Sequence, residues 1–453
     1  MLTASSEVDD VVCPTDKIGI FFQNDVVVGE GGTVLSGSAE ALLIRLVPTR
    51  DFSPDSSYIF ALLVNIRTFV SPEQVLQRLC NECMFSINSD SMNFSKENRT
   101  RLFRHVLRVL AEWVTSLPHD FKPQSMRDRL EELLGMCSVD SGNGHQATDL
   151  LNNLTHTLNR LERYELAVVS VRNTLAEDVS RPVASETLTG LAGFEVEPKV
   201  VAQQLTHIEM ERFGMVGVND IVLAVAEGDI TNFTMNKGDN ICFYVEWFNR
   251  LSQLAASEVL RQSRRKNRVR AVEFLIDVAQ QCCELGNFNS LMAIVAGLSL
   301  PSVARLRRTW SRVDKAKLDI LQHQLDPSGN FLSYRATMKA AVWRASHCNE
   351  EKIVVPFFVL LLKDLFLIYH GTSRVLPNGH WNFVAFSQLA EQLRNVLDWQ
   401  RSPCKFIKHP QILQYLLISP VYPENEAMLV SFSMENADSS TERQQFKLLK
   451  TPK

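Results

Sequence analysis

The chain has 453 residues and a formal net charge of −4, with 45% hydrophobic and 22% charged residues. This balance is typical of globular proteins, and it argues against wholesale disorder and against a strongly basic nucleic-acid binder. At roughly 150 residues per domain, the length predicts two or three domains.

Helical periodicity dominates the N-terminal half. We predict a flexible lead-in over residues 1–31 and a helical pattern from Thr33 onward. Ser71-Pro72-Glu73-Gln74 predicts a helix start, because serine can cap, proline suits the first helical position and glutamine completes a capping box. A weakly periodic linker over residues 168–196 separates an N-terminal domain, residues 32–167, from a C-terminal domain, residues 197–453.

The C-terminal half is patterned more strongly. Long helices are predicted over residues 240–262 and 267–285, where Gly286 ends the second one and Asn289 caps the next. No long strand pattern competes with these helices. The predicted fold class is therefore all-α, with two helical domains.

The cysteines indicate the cellular compartment of the protein. Nine cysteines, an odd number, lie mostly in apolar helical patterns, which favours reduced thiols in a cytoplasmic protein. Cys80 and Cys83 form a CxxC pair, but no second pair or nearby histidines complete a metal site.

Residues 353–369 are strongly apolar, yet Lys363 and Asp364 interrupt them, whereas a spanning helix needs about twenty apolar residues. That stretch is predicted to be a buried helix or a binding element.

The sequence patterns of bond-making enzymes are missing. There is no G-x-x-x-x-G-K-[ST] loop, G-x-S-x-G elbow, H-E-x-x-H helix or dinucleotide fingerprint. The ten histidines are scattered rather than placed at metal-ligand spacing. We therefore expect no cofactor and no covalent catalysis, and a function exerted through surfaces.

Several C-terminal segments resemble the catalytic domain of Ras guanine-nucleotide exchange factors. In family order these are WFNRLS (247–252), GNFNS (286–290), VARL (303–306), NF (330–331) with YR (334–335), and VPFF (355–358). The N-terminal half is similar to the Ras-exchanger motif domain at GTV (32–34) and RTF (67–69). The segments RRTWSRV and LPNGHWNF are most similar to the small subfamily named for its RasGEF domain, which acts on Rap-type GTPases.

The resemblance implies a regulator rather than an enzyme, with a helical bundle that projects a helical hairpin. Such a protein promotes GDP release from a Ras-family GTPase, here with a Rap-type GTPase as first choice. The GTPase holds nucleotide at about picomolar affinity, on the order of −16 kcal/mol, so the exchange factor needs a large interface. Residues 353–369 would form the first arm of the hairpin.

The family positions define candidate site residues. The hairpin presents an apolar residue near the magnesium site and an acidic residue one turn later, which match Phe366 and His370, with Lys363 on the same arm. His370 departs from the acidic pattern, because a neutral imidazole can accept a hydrogen bond but carries no negative charge. The contacts with the second switch region fall on Met292, Ser299, Asn330 and Phe331. Core packing is the alternative for Met292, and simple burial is the alternative for Phe366.

Two basic clusters leave further alternatives open. Residues 261–270 and 305–317 hold six basic residues each. A solvated helix end is one interpretation; attraction of an acidic partner or anionic lipid to Arg264, Arg265 and Lys266 is another.

We expect a monomer without nucleic-acid partners, with membrane recruitment as an option. A non-catalytic helical adaptor that binds a GTPase, or a GTPase-activating protein that supplies an arginine, would also suit these residues.

Overall fold

A computed structural model describes residues 25–88, 96–138, 143–178, 190–191, 195–227, 240–347 and 353–450. Helices dominate these ranges, so the predicted all-α fold class is confirmed. The predicted lead-in falls largely outside them, since residues 1–24 are not described, and so do residues 179–189 and 192–194 of the predicted linker. Within the described ranges, no helix combines the length and the apolar character needed to cross a bilayer.

The described helices and strands follow in chain order. The first part comprises β1 (Val26–Val28), β2 (Val34–Gly37), α1 (Ala39–Leu46), α2 (Ser56–Asn65), α3 (Pro72–Asn88), α4 (Lys96–Ser116), α5 (Gln124–Ser138), α6 (Gly144–Asp178), α7 (Pro198–Phe213) and α8 (Val218–Ala226). The second part comprises α9 (Asn240–Leu260), α10 (Arg265–Leu285), α11 (Phe288–Ser299), α12 (Pro301–Ala304), α13 (Arg307–Trp310), α14 (Ala316–Gln324), α15 (Ser328–His347), α16 (Phe358–Gly371), β3 (Trp381–Asn382), α17 (Phe383–Gln400), α18 (Pro410–Ile418), α19 (Glu424–Met434) and α20 (Ser440–Lys450).

The chain divides into two compact units. The first contains residues 1–160, 217–230 and 364–395, and the second contains residues 161–216, 231–363 and 396–453. The second part of α16 and most of α17 therefore belong to the same compact unit as the N-terminal helices α1–α5.

A buried carboxylate organises the first unit. Asp120 accepts hydrogen bonds from both terminal nitrogens of Arg67 at 2.8 and 2.6 Å, and from Trp113 Nε1 at 2.7 Å. It also accepts one from Asn219 Nδ2 at 2.5 Å. Burying a carboxylate is costly unless it is paired and hydrogen-bonded. Asp120 therefore stabilises the joint arrangement of α4, α8 and the turn at Arg67.

The small sheet corrects the helical pattern that was predicted from Thr33 onward. Val34–Gly37 is a strand, and the sheet has the order β1-β2-β3 with antiparallel pairs. Ser36 and Gly37 pair with Asn382 and Trp381. The prediction of a helix beginning at Thr33 was wrong because this segment pairs on one side with the nearby strand β1 and on the other with β3, which lies far along the chain, and helical periodicity reports neither pairing.

Of two helix caps predicted from local sequence signals, one is confirmed and one is wrong. The capping box at the start of α3 is confirmed, since Ser71 N–H donates to Gln74 Oε1 at 3.1 Å and Gln74 N–H donates to Ser71 Oγ at 3.3 Å. The predicted cap Asn289 was wrong. Asn287 Oδ1 instead accepts from Ser290 N–H at 3.0 Å, so the cap lies two positions earlier.

The second unit is built on close packing of α9 against α11, and of α10 against α7 and α11. Gly297 on α11 lies against α9 so closely that an added Cβ would be 2.3 Å from the Ser252 carbonyl oxygen and 2.9 Å from Ala255 Cβ. Glycine at this position therefore sets the distance between the two helices.

We expect Gly297→Ala to lower the free energy of unfolding by about 1–3 kcal/mol, because the methyl group forces α9 and α11 apart. The measurement is urea unfolding. Gly135→Ala is the matched control, since Gly135 lies within α5 with nothing within 4 Å of an added Cβ. That change should stabilise the protein by about 0.5–1 kcal/mol. Equal midpoints for the two variants would contradict the packing argument.

Candidate functional site

The segment that leads into α16 is fixed by main-chain pairing. Val355 N–H donates to the Gly286 carbonyl at 2.9 Å, and Phe288 N–H donates to the Val355 carbonyl at 2.9 Å. Gly286 has a φ of 79°, and an added Cβ would lie 2.2 Å from the Ile353 carbonyl oxygen. Glycine is therefore required here both for the left-handed conformation and for the close approach of the segment at Gly286 to the segment at Ile353.

Side chains from two other helices satisfy the start of α16. The first N–H groups of an α-helix have no partner within the helix. Here Phe357 N–H donates to Tyr334 Oη at 2.8 Å, and Phe358 N–H donates to Asn289 Oδ1 at 3.3 Å. Tyr334 belongs to α15 and Asn289 to α11. The first turn of α16 is therefore attached to both helices.

A buried carboxylate orients Asn289. Glu209 accepts from Tyr244 Oη at 2.7 Å, Trp247 Nε1 at 3.1 Å and Ser290 Oγ at 2.8 Å. It also accepts from Asn289 Nδ2 at 3.1 Å, which directs Asn289 Oδ1 towards the start of α16. Burial raises the pKa of Glu209, and the donated hydrogen bonds oppose that shift.

Asn330 and Phe331, two of the predicted contact residues, lie in a left-handed turn. Gly329, Asn330 and Phe331 have φ values of 61°, 58° and 61°. A residue other than glycine in this left-handed region of φ costs on the order of 1–3 kcal/mol, and such strain is concentrated at functional sites. Asn330 is exposed, while the half-buried Phe331 ring lies 6.4 Å from the ring of Phe357 and 6.5 Å from that of Tyr334. The turn is thus next to the start of α16.

Met292 and Ser299, the other two predicted contact residues, lie on one face of α11. They are seven residues apart, close to two full turns. Met292 is half-buried and Ser299 is exposed. Ser299 borders an open groove of about 520 Å³ that Arg307, Trp310 and Lys315 also line. The sequence interpretation missed this groove because it treated those residues only as part of a charge run.

The exposed face of α16 mixes apolar and polar side chains. Val359 and Leu367 are 40% and 51% exposed, and Lys363 and His370 are exposed at helical spacing from them. Phe366 is half-buried, with its ring 4.4 Å from that of His370. At 1.5 Å per residue, Phe366 lies about 12 Å along the axis from Phe358.

His370 has a partner that the sequence did not indicate. Its Nε2 lies 2.9 Å from the Val225 carbonyl oxygen on α8. Because a carbonyl can only accept, Nε2 carries the hydrogen, and in the neutral ring Nδ1 is then the acceptor. A main-chain carbonyl leaves no mark in the sequence, which is why this contact could not be predicted.

The far end of α16 and the start of α17 are attached to N-terminal helices within the first unit. Asn65 on α2 donates to the Phe386 carbonyl at 3.2 Å and accepts from Arg374 at 2.5 Å. The ring of Trp381 stacks on Phe69 with centroids 4.3 Å apart. Within the first unit, these contacts fix the segment that connects α16 with α17.

Two further sequence features lie elsewhere. Arg264, Arg265 and Lys266 are exposed at the start of α10. Cys80 and Cys83 are buried on α3, where burial raises the pKa of the Cys80 thiol to about 11.

Comparison with known proteins identifies the family. The RasGEF domain model matches residues 200–387, and the RasGEF N-terminal motif model matches residues 33–133. Ras-GEF domain-containing family member 1B of Xenopus tropicalis is 36% identical over 437 residues, which cover 93% of this chain and 92% of that protein. Member 1C of Mus musculus is 36% identical over 427 residues, covering 93% and 91%. With its RasGEF N-terminal motif followed by a RasGEF domain, the chain belongs to the Ras-GEF domain-containing family.

Proposed function

We propose that this chain promotes GDP release from a Ras-family small GTPase, with a Rap-type GTPase as the first candidate. It does so by inserting α16 at the switch and magnesium region. The observation that carries the proposal is the exposed face of α16, with Val359, Lys363, Leu367 and His370, on a helix whose start is held by Tyr334 and Asn289. Membership of the family supports the class of partner.

The energetic demand favours a wide surface. Displacing a nucleotide bound at about −16 kcal/mol requires a comparable stabilisation of the empty GTPase, and this exceeds what a few polar contacts supply. Three surfaces contribute in this proposal: α16 with Phe366, the turn with Asn330 and Phe331, and the α11 face with Met292 and Ser299.

Insertion also requires a rigid helix. A helix that displaces a bound loop must resist the opposing force, so its ends must be fixed. In the proposed division of labour, residues 197–453 bind the GTPase and residues 32–167 support the hairpin through Asn65 and Phe69. In this proposal the protein acts as a monomer in the cytoplasm.

A non-catalytic adaptor is the second candidate, and His370 favours it. The resembling exchange factors place an acid at this position, whereas here the imidazole is uncharged when neutral and its Nε2 is committed to Val225. An adaptor would bind the loaded and the empty GTPase with similar affinity, whereas an exchange factor would prefer the empty form.

The direct test is a panel of purified Rap, Ras and Ral proteins loaded with fluorescent GDP. We expect the full chain to accelerate release most strongly from a Rap-type GTPase. On the GTPase that responds, Phe366→Ala should slow the accelerated release at least tenfold, because the ring supplies the steric contact near the magnesium site. A Phe366→Ala variant as fast as wild type would contradict the role of the hairpin.

The matched control for that variant is Leu166→Ala on α6, which also shortens an apolar side chain on a helix and is 65% exposed in the wild type. It should leave the release rate unchanged.

Acceleration of phosphate release without nucleotide release would instead identify a GTPase-activating protein.

We expect His370→Ala to slow release by about fivefold, which corresponds to the loss of about one hydrogen bond. The loss should be smaller than that for Phe366→Ala because the steric contact remains. Stopped-flow fluorescence at several exchange-factor concentrations gives both rates. A larger loss for His370→Ala than for Phe366→Ala would refute the dominance of the steric contact.

We expect Tyr334→Phe to loosen the start of α16, because the Phe357 N–H loses its acceptor, at a cost of about 1 kcal/mol. Hydrogen–deuterium exchange should become faster in the peptide that contains residues 353–366. The maximal release rate should fall severalfold, with a smaller change in the half-saturating concentration. Tyr422→Phe is the control. Unchanged exchange in that peptide would contradict the proposed attachment.

A further inference from the structure

The start of α10 carries positive charge where the helix disfavours it. Arg264 is the N-cap residue, and Arg265 and Lys266 follow it in the first turn; all three are exposed. This turn has neither an acidic residue nor a side-chain cap. The N–H groups at a helix start already carry partial positive charge, so anions are stabilising there and cations are not. These cations therefore do not serve the stability of α10.

A second set of cations lies beside the first. Arg268 of α10 is buried and its Nε donates to Thr309 Oγ1 of α13 at 3.2 Å. Glu435 joins the same contact, since it accepts from the main-chain N–H groups of Arg308 and Thr309, each at 2.9 Å. The buried carboxylate of Glu435 therefore lies against Arg268 and against main-chain N–H groups. The exposed cations at this position are Arg307, Arg308 and Arg312.

The last described helix adds a third set. Arg443, Lys447 and Lys450 of α20 are exposed and follow at spacings of four and three residues, so they form one stripe. Leu448 beside them is 70% exposed. Arg305, which precedes α13, holds α20 in place because its Nε lies 3.3 Å from Glu442 Oε1.

We propose that these cations form a basic surface that docks on an anionic lipid membrane. The basic surface is defined by Arg264, Arg265, Lys266, Arg307, Arg308, Arg312, Arg443, Lys447 and Lys450. A membrane fits better than a folded acidic protein because the cations come from three separate elements, with one exposed leucine among them that can enter the headgroup layer. Each lysine or arginine near such a membrane raises partitioning by about fivefold.

The test uses the full chain and sedimentation with vesicles of phosphatidylcholine containing 30 mole per cent phosphatidylserine, compared with pure phosphatidylcholine. Wild type should bind the anionic vesicles at least tenfold more tightly. The triple variant Arg264→Gln, Arg265→Gln, Lys266→Gln should lose at least tenfold of that binding. Its thermal unfolding midpoint should be equal to or higher than that of wild type, because cations are removed from a helix start. The sedimentation measurement contains no GTPase, so its result is independent of the proposed exchange activity.

The matched control removes the same charge from the exposed face of α4, as Lys96→Gln, Arg104→Gln, Arg108→Gln. It should retain nearly all vesicle binding. The proposal is overturned if wild type does not distinguish the two vesicle types, or if the α4 variant loses as much binding as the α10 variant. It is also overturned if the α10 variant binds vesicles normally but slows release from a lipid-free GTPase at low salt, because the surface would then face an acidic protein.

Discussion

The fixed start of α16 is the constraint on which the proposed activity depends. The chain approaches the helix in main-chain pairing with Gly286 and Phe288, and the amide groups of Phe357 and Phe358 then find acceptors on α15 and α11. Free N–H groups at a helix start would otherwise bind water and allow the first turn to fray. These four contacts fix the first turn of α16 against α11 and α15.

The same contacts connect the start of α16 with the left-handed turn at Asn330 and Phe331. Tyr334 accepts from Phe357, and its ring lies 6.5 Å from that of Phe331. Strain in a turn persists only when its surroundings determine it strongly, and here an aromatic cluster of Phe331, Tyr334 and Phe357 provides those surroundings. A partner that binds the turn would therefore act directly on the base of the helix.

His370 sets the polar chemistry at its position in the proposed site. The imidazole donates through Nε2 to Val225 and keeps Nδ1 as an acceptor. It therefore retains the capacity to accept a hydrogen bond, but supplies no negative charge in its neutral form. In the proposed mechanism the steric contribution of Phe366 accordingly outweighs the polar contribution of His370.

Much of what depends on neighbours in sequence could be predicted. The helical period gave the fold class, the capping box at Ser71 and Gln74 gave a helix start, and ordered motifs such as GNFNS and VPFF indicated the family. The motif positions also supplied the candidate residues on α16 and α11, whose role in binding a GTPase stays a prediction. These inferences are local because a helix and its cap are completed within a few residues.

Only the tertiary structure decided which distant groups meet. Strand β2 pairs with β3 across most of the chain, Asn289 turns from the expected cap towards Glu209 and Phe358, and Val225 offers His370 a main-chain carbonyl. Phe331 likewise adopts a positive φ that its residue type disfavours. Such features come from the packing of elements that are remote in sequence, and local periodicity contains no record of that packing.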